Sequence, residues 1–336
     1  MPDEMFLRSG PDWHLDAAGV ATFEHFLEDR GIAASDVDPV PIGVFLEYAS
    51  WFCEMTGVCT DERHVCDMAW RDGVFDVAFD DGSQLTARSV VAAVGVRHFR
   101  QFPGWAAHLA PGVAAHTCDL VDFEALRGAR VLIIGGRQSA YEWAALAGEH
   151  GAERIDIVHR HPVPRFERVS WAFTDEYVEA TRATPGWWRT LSAEQREHIG
   201  RRFWEVGRLT LEWWLVARLA RAALHRWPDT SVVEATPRDD GVDVALSNGE
   251  RRAVDRVVFA TGYRAEVASV PHLAGVIDDV EVVDGFPVLD TAFQSTRPGL
   301  YLPGFTSTRD FGPLFGFTKG CPATAQIIVD DLLRRA

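Results

Sequence analysis

With 336 residues, 47% of them hydrophobic and 24% charged, the chain has apolar material for two domains with full cores, which argues against a disordered polypeptide. Its formal net charge of −16 and pI near 5.2, with no Lys/Arg run, argue against nucleic acid as a partner. No apolar run reaches the roughly 18 to 20 residues that cross a bilayer, and MPDEMFLRSG lacks a basic stretch followed by an apolar one, so the expectation is a cytoplasmic protein with no membrane partner.

Along the chain, residues 44–51 place Phe45, Tyr48 and Trp51 about one turn apart, which predicts an amphipathic helix. Residues 65–95 and 232–262 share one pattern and form an internal repeat. Asp72-Gly73 and Asp81-Gly82 in the first, and Asp240-Gly241 and Asn248-Gly249 in the second, separate alternating apolar runs, and such pairs favour hairpin turns. Each repeat therefore reads as a three-stranded meander leading into a buried strand that ends in glycine, 90–95 (VVAAVG) and 257–262 (VVFATG). Between them, a strand at 131–134, a helix from about 139 to 150 and a strand at 155–159 form a βαβ unit, whose right-handed crossover implies a parallel sheet.

Residues 181–227 read as helical and aromatic, with Ser192 and Gln195 spaced as a capping box. The tryptophans there, Trp187, Trp188, Trp204, Trp213, Trp214 and Trp227, either pack an inserted helical pair against the sheet or wall a substrate site. Residues 299–304 read as a short buried strand, 305–320 as a turn-rich loop, and a last helix starts near Pro322. Cys53, Cys59, Cys66, Cys118 and Cys321 contain no CxxC pair and read as free thiols, and no spacing suggests a metal site.

The chemistry is concentrated after the strand 131–134, where Gly135, Gly136, Arg137, Gln138, Ser139 and Ala140 spell a dinucleotide-binding turn that opens a helix. The first glycine permits the tight bend, the later small residue lets helix pack on strand, and free N–H groups at the helix start face a pyrophosphate. Arg137 stands where a glycine is usual, and it either contacts a phosphate or obstructs the ordinary pose. The second strand ends in His159-Arg160-His161 with no carboxylate to accept from a ribose hydroxyl, so NADPH is expected over NADH, with Arg160 on the 2′-phosphate; otherwise Arg160 is a solvated strand end.

These features resemble the flavin-dependent, NADPH-using monooxygenases related to flavin-containing and N-hydroxylating monooxygenases. The resemblance covers nearly the whole chain and is carried by GGRQSAYE at 135–142, ATGY at 260–263, AVG at 93–95 and LRS at 7–9. It implies an α/β fold of two interleaved Rossmann-like dinucleotide-binding domains, each with a β-meander. Residues 1–124 plus 286–336 would form a partial FAD-type domain, and 125–285 the NADPH domain with a helical insertion around 181–227. Cofactor contacts are then expected from Arg8, Ser9, Gly95, Thr261, Gly262 and Gly304, with the loop to Gly320 and the helix after Cys321 near the flavin. The FxGxxxHxxx(Tyr/Phe/Trp) segment of the family survives only in worn form, with Gly112 and His116 in place but Ala110 and Leu120 where aromatics stand, and His116 reads as a linker histidine.

The family begins with a βαβ unit carrying its own GxGxxG for FAD, and here Met1 falls close to the LRS element, so the first domain is expected to be incomplete at its N-terminus. The expectations are a misassigned start, a separate chain supplying the unit, or a remnant that no longer binds FAD; the expected partner is that supplying chain or, alternatively, a further copy in a homo-oligomer. The resemblance implies NADPH, and FAD where that unit is supplied, used with dioxygen to oxygenate a small-molecule substrate at no identified catalytic side chain. A non-catalytic NADPH-binding or accessory protein, and a reductase without oxygenation, remain the alternatives.

Overall fold

The computed structural model describes residues 2–110 and 112–335; Met1, on which the start-site expectation falls, lies outside the described residues, as do Pro111 and Ala336. The chain divides into two compact units, one of Met1–Arg8, Arg100–Ser170 and Arg202–Tyr263, the other of Ser9–Phe99, Trp171–Arg201 and Arg264–Ala336. The division falls at 99/100 and 263/264, where the sequence suggested 124/125 and 285/286, and it assigns 171–201 to the unit that holds the chain's end.

The first unit is built on a five-stranded sheet of β1 (Ala114–His116), β2 (Arg130–Ile134), β3 (Arg154–Val158), β4 (Leu224–Trp227) and, after a three-stranded meander (β5, Val232–Arg238; β6, Gly241–Leu246; β7, Arg251–Val254), β8 (Arg256–Phe259). The order is β4-β3-β2-β8-β1 and every pairing is parallel. Val131, Leu132 and Ile133 of β2 are fully buried, as expected of a central strand covered on both faces. Helix α1 (Gln138–Glu149) closes on this sheet through Ala140, Tyr141, Ala144, Ala145, Leu146 and Ala147, all without exposed surface. Its small residues let the helix approach closely, and Trp143 donates from Nε1 to the Leu120 carbonyl, 3.0 Å away.

The stretch 181–227, expected to be helical, is corrected in its second half. Helices Asp175–Ala183, Trp187–Thr190 and Ala193–Arg208 (here α2) come first, and Ser192 and Gln195 do form the capping box, each side chain bonding the other's backbone N–H at 3.2 and 2.8 Å. Residues Thr210–Glu212 and β4 are strands instead. Pairing decides this: β3 offers an open parallel edge that runs from Ile155 to Val158, and Leu224 to Trp227 fill it. The buried Asp156 carboxylate fixes the register, accepting from Trp227 Nε1 at 2.8 Å and from Arg154 Nε at 2.8 Å.

In the second unit the first meander is present as Val65–Arg71, Val74–Phe79 and Gln84–Ala87, all antiparallel, with Asp72 and Gly73 both at positive φ in a two-residue turn. Its sequel at 90–95 is corrected: only Val90–Val91 is strand, paired in parallel with Leu300–Tyr301, and Val91 is 45% exposed. Leu300 and Tyr301 are buried, and the Tyr301 hydroxyl donates to Asp331 of the final helix Cys321–Arg335 at 2.7 Å. Helix Ile42–Thr56 packs on Phe23–Asp29 through Tyr48, whose ring lies 5.1 Å from Phe23 and 5.7 Å from Phe26.

Candidate dinucleotide site

Strand order reverses about β2 and β8, since β3 and β4 lie to one side and β1 to the other, and ligands of parallel α/β sheets bind beyond the carboxyl ends of strands at such a switch point. The Gly135–Ala140 turn leaves β2 at that place. Gly135 has φ +133°, and a Cβ there would lie 2.3 Å from the Ala260 carbonyl oxygen at the end of β8. At Gly136 a Cβ would lie 2.3 Å from the His159 ring at the end of β3. Both glycines are required because the turn is wedged between two neighbouring strand ends.

Arg137 is the N-cap of α1 with extended backbone and no capping side-chain bond, and the first turn carries no acid. The N–H groups of Gln138 and Ser139 have no acceptor among the described residues, which leaves the positive helix end open to an anion. Gln138 holds the turn, accepting at Oε1 from the Glu212 N–H (3.0 Å) and donating from Nε2 to Glu142 (3.2 Å). His159 is buried and carries its proton on Nδ1, because Nδ1 faces the His161 carbonyl at 2.6 Å while Nε2 accepts from the Tyr141 hydroxyl at 3.3 Å. Burial keeps its pKa below the ordinary value, so the ring under Gly136 is a neutral support.

The Arg137 side chain turns away from the helix axis, donates to the Arg208 carbonyl and stacks over Trp204. Arg160 is exposed beyond β3 with no hydrogen-bond or ion-pair partner among the described residues. Thr261 donates to the Gln101 carbonyl, Gly262 accepts from the Gln101 N–H at 3.0 Å, and Arg100 bridges Tyr263, so the ATGY strand end is stitched to 100–101. Buried His116, at the end of β1, has its ring 5.1 Å from Tyr263 and accepts at Nδ1 from the Cys118 N–H, and burial lowers its pKa. Sequence spacing left His116 as a linker residue; its place beside ATGY comes from β1 pairing with β8.

The remaining expected residues are in different settings. The Arg8 guanidinium is engaged within the first unit by Glu212 at 2.6 Å, the Gly207 carbonyl at 2.8 Å and Thr210 at 3.3 Å. Ser9, Gly95 and Gly304 belong to the second unit; Gly95 and Gly304 have positive φ with open space where a Cβ would be.

The second unit contains a cavity of about 330 Å³ at the head of its final helix, lined among others by Asp12, Trp13, His14, Asp175, Glu179 and Lys319. Lys319 Nζ lies 2.5 Å from Asp175 and 3.2 Å from Asp12, and 5.7 Å from the Trp13 ring. His14 Nδ1 is buried without a hydrogen-bond partner, and burial lowers the ring's pKa. Asp16, also at the wall, is taken up by the N–H groups of Ala18, Val20 and Ala21 at 2.7 to 2.9 Å. Among the described residues no group of three or more His, Cys, Asp or Glu could hold a metal ion. Among the described residues, no helix is long and apolar enough to cross a membrane.

The first unit thus fits a nicotinamide dinucleotide, with a glycine turn, open helix N–H groups and arginines. The second unit fits a flavin only in part: it has the open glycines and a cavity at a helix start, but among the described residues no glycine turn joins a parallel strand to a helix there.

The chain is 29% identical to the FAD-dependent urate hydroxylase of Xanthomonas campestris pv. campestris, over 93% of this chain and 72% of that protein. By structure it is similar to the Kutzneria sp. 744 ornithine N-hydroxylase with reduced FAD, NADP+ and L-ornithine, with a TM-score of 0.77, 17% identity, and coverage of 100% and 88% of the two chains. The L-lysine 6-monooxygenase of Pseudomonas syringae gives 0.72 at 19% identity, covering 97% and 87%. These two likenesses establish the fold, two dinucleotide-binding units of the flavoprotein monooxygenase kind. Residues 44–265 match the model of the L-lysine 6-monooxygenase/L-ornithine 5-monooxygenase family, so the chain belongs to that family and is an enzyme of the FAD- and NADPH-dependent monooxygenase class.

Proposed function

We propose that this monooxygenase oxygenates a small primary amine at nitrogen, with NADPH on the Gly135–Ala140 turn. The carrying observation for the substrate is the cavity at the head of the final helix, where Asp12, Asp16, Asp175 and Glu179 outnumber Lys319 and Arg182. Excess carboxylate favours a substrate that presents an ammonium end over a urate-like anion that has none. The hydroxylated substrates of the structural relatives, ornithine, lysine and cadaverine, are amines of this kind.

In this reading the N–H groups of Gln138 and Ser139 hold the pyrophosphate, Gly135, Gly136 and Ala140 let it approach, and Arg160 faces the 2′-phosphate. Thr261 and Gly262 line the same strand ends, while Ser9, Gly95 and Gly304 lie toward the flavin. The flavin supplies the redox chemistry with dioxygen, and the chain's own contribution is binding, orientation and exclusion of water. His14 lines the same cavity, and burial holds its ring neutral there, so it adds no positive charge against a bound ammonium. A cytoplasmic location suits five unpaired cysteines.

The test is NADPH oxidation and oxygen uptake by the FAD-supplemented protein, with lysine, ornithine and cadaverine compared with urate and indole-3-pyruvate. Amine-dependent turnover with an N-hydroxy product is expected. Turnover stimulated by urate or indole-3-pyruvate and by no amine overturns the substrate assignment.

A further inference from the structure

Three guanidinium groups converge at the C-terminal end of α2. Arg8 is neutralised by buried Glu212 at 2.6 Å and also bonds the Gly207 carbonyl. Arg137 donates to the Arg208 carbonyl, so its position is fixed, but it meets no carboxylate. Arg208 has no carboxylate or hydrogen-bond acceptor for its guanidinium among the described residues. The two uncompensated groups share one indole: Arg137 and Arg208 have their Cζ atoms 5.5 and 6.0 Å from the ring centroid of Trp204, which is itself 51% exposed.

Helix capping accounts for the Arg137 and Arg8 bonds to backbone oxygens, but it leaves the Arg208 guanidinium unexplained. Two like charges on one ring repel: desolvation and then Arg208 depress the Arg137 pKa, while Arg208 itself is exposed to solvent. In a chain carrying a net charge of −16, a carboxylate to neutralise them would be easy to supply, and none is there. Such an arrangement is stabilised by a bound anion that two planar guanidinia can grip together.

We infer that Arg137 and Arg208, held by Trp204, form the clamp for the 2′-phosphate of NADPH. The inference rests on the dinucleotide reading of the Gly135–Ala140 turn. It assigns the 2′-phosphate and not the pyrophosphate because the helix N–H groups serve the latter, whereas Arg137 directly follows Gly136, whose Cα packs against the His159 ring at the end of β3. There the adenosine ribose of a dinucleotide lies. Arg160 is exposed two residues past the last residue of β3, so NADPH selectivity is shared between the βαβ unit and the inserted helix.

Calorimetric binding of adenosine 2′,5′-bisphosphate and of 5′-ADP to the full chain separates the outcomes. With Arg208→Gln, affinity for the bisphosphate should fall about 10- to 100-fold while 5′-ADP binding is unchanged, as expected for losing one charge-assisted contact. Arg208→Lys should give an intermediate loss, and Trp204→Leu a loss of the same kind. Equal losses for both nucleotides would make the pair a pyrophosphate ligand, and unchanged binding of both would remove Arg208 from the site; either result overturns the clamp. A wild-type protein that binds neither nucleotide would instead overturn the dinucleotide reading on which the clamp depends.

Discussion

A methyl group on Gly135 would meet the Ala260 carbonyl oxygen at 2.3 Å, and the residue would still have to hold φ at +133°. Neither demand can be met by a side-chain rotation, because the opposing atom is backbone. Gly135→Ala should therefore cost about 3 kcal/mol of stability, combining overpacking with an unfavourable dihedral. Urea denaturation measures it, and a change under 1 kcal/mol would show that the two strand ends are not in contact. Glu142, one turn along α1, is 2% exposed, and burial pushes its carboxyl up to about 7 even though Phe6 N–H and Gln138 donate to it and Arg218 lies 4.0 Å away. A carboxyl whose pKa rises on folding favours the native state fully below its unfolded value of 4.5, and that contribution is lost as pH climbs toward 7. Wild-type protein should lose up to about 3 kcal/mol from this group across that window. Glu142→Gln should flatten the slope, read as urea midpoints at pH 5 and pH 7; an unchanged slope would place the titration elsewhere.

At the scale of elements, what could be read in advance was whatever is decided within a dozen neighbouring residues. The Asp72-Gly73 turn, the Ser192/Gln195 box and the βαβ unit from Arg130 to Val158 each carry their own local signal. Elements decided by a distant partner carry no such local signal. Residues 224–227 sit in a helix-like stretch and become strand only because β3 has an edge to fill. Residues 90–95 look like a fully buried strand, yet only two of them pair, with Leu300–Tyr301, and Val91 is exposed. In the second meander the sequence points to Asp240-Gly241 as the turn, whereas the turn is Asp239-Asp240. Gly241 is already strand, where a Cβ would lie 2.1 Å from the Val254 carbonyl oxygen. The site shows the same split: the glycines and Arg137 stand in one motif, but Arg208 and Trp204 come from a helix about seventy residues later. No spacing rule connects them.

At the scale of the molecule, the chain passes between the two units at residues 8/9, 99/100, 170/171, 201/202 and 263/264, so covalent continuity does not separate them. Burial does. The cluster around Val131, Ile133, Tyr141, Leu146, Ile157 and Leu215, and the one around Leu132, Val242, Val257 and Phe259, are made entirely of first-unit residues. Every group assigned to the nicotinamide dinucleotide also lies in that unit. A ligand stabilises only those openings that destroy its site, by about 2.7 kcal/mol at a hundred times its dissociation constant. Adenosine 2′,5′-bisphosphate at that concentration should therefore slow hydrogen exchange about 100-fold for amides of β2, β3, α1 and β8. Amides of the Val65–Ala87 meander in the other unit should be unaffected if each core opens on its own. Equal protection of both sets would mean that the five crossings bind the two cores into one cooperative unit, and that a dinucleotide on the first stabilises the cavity of the second as strongly as its own site.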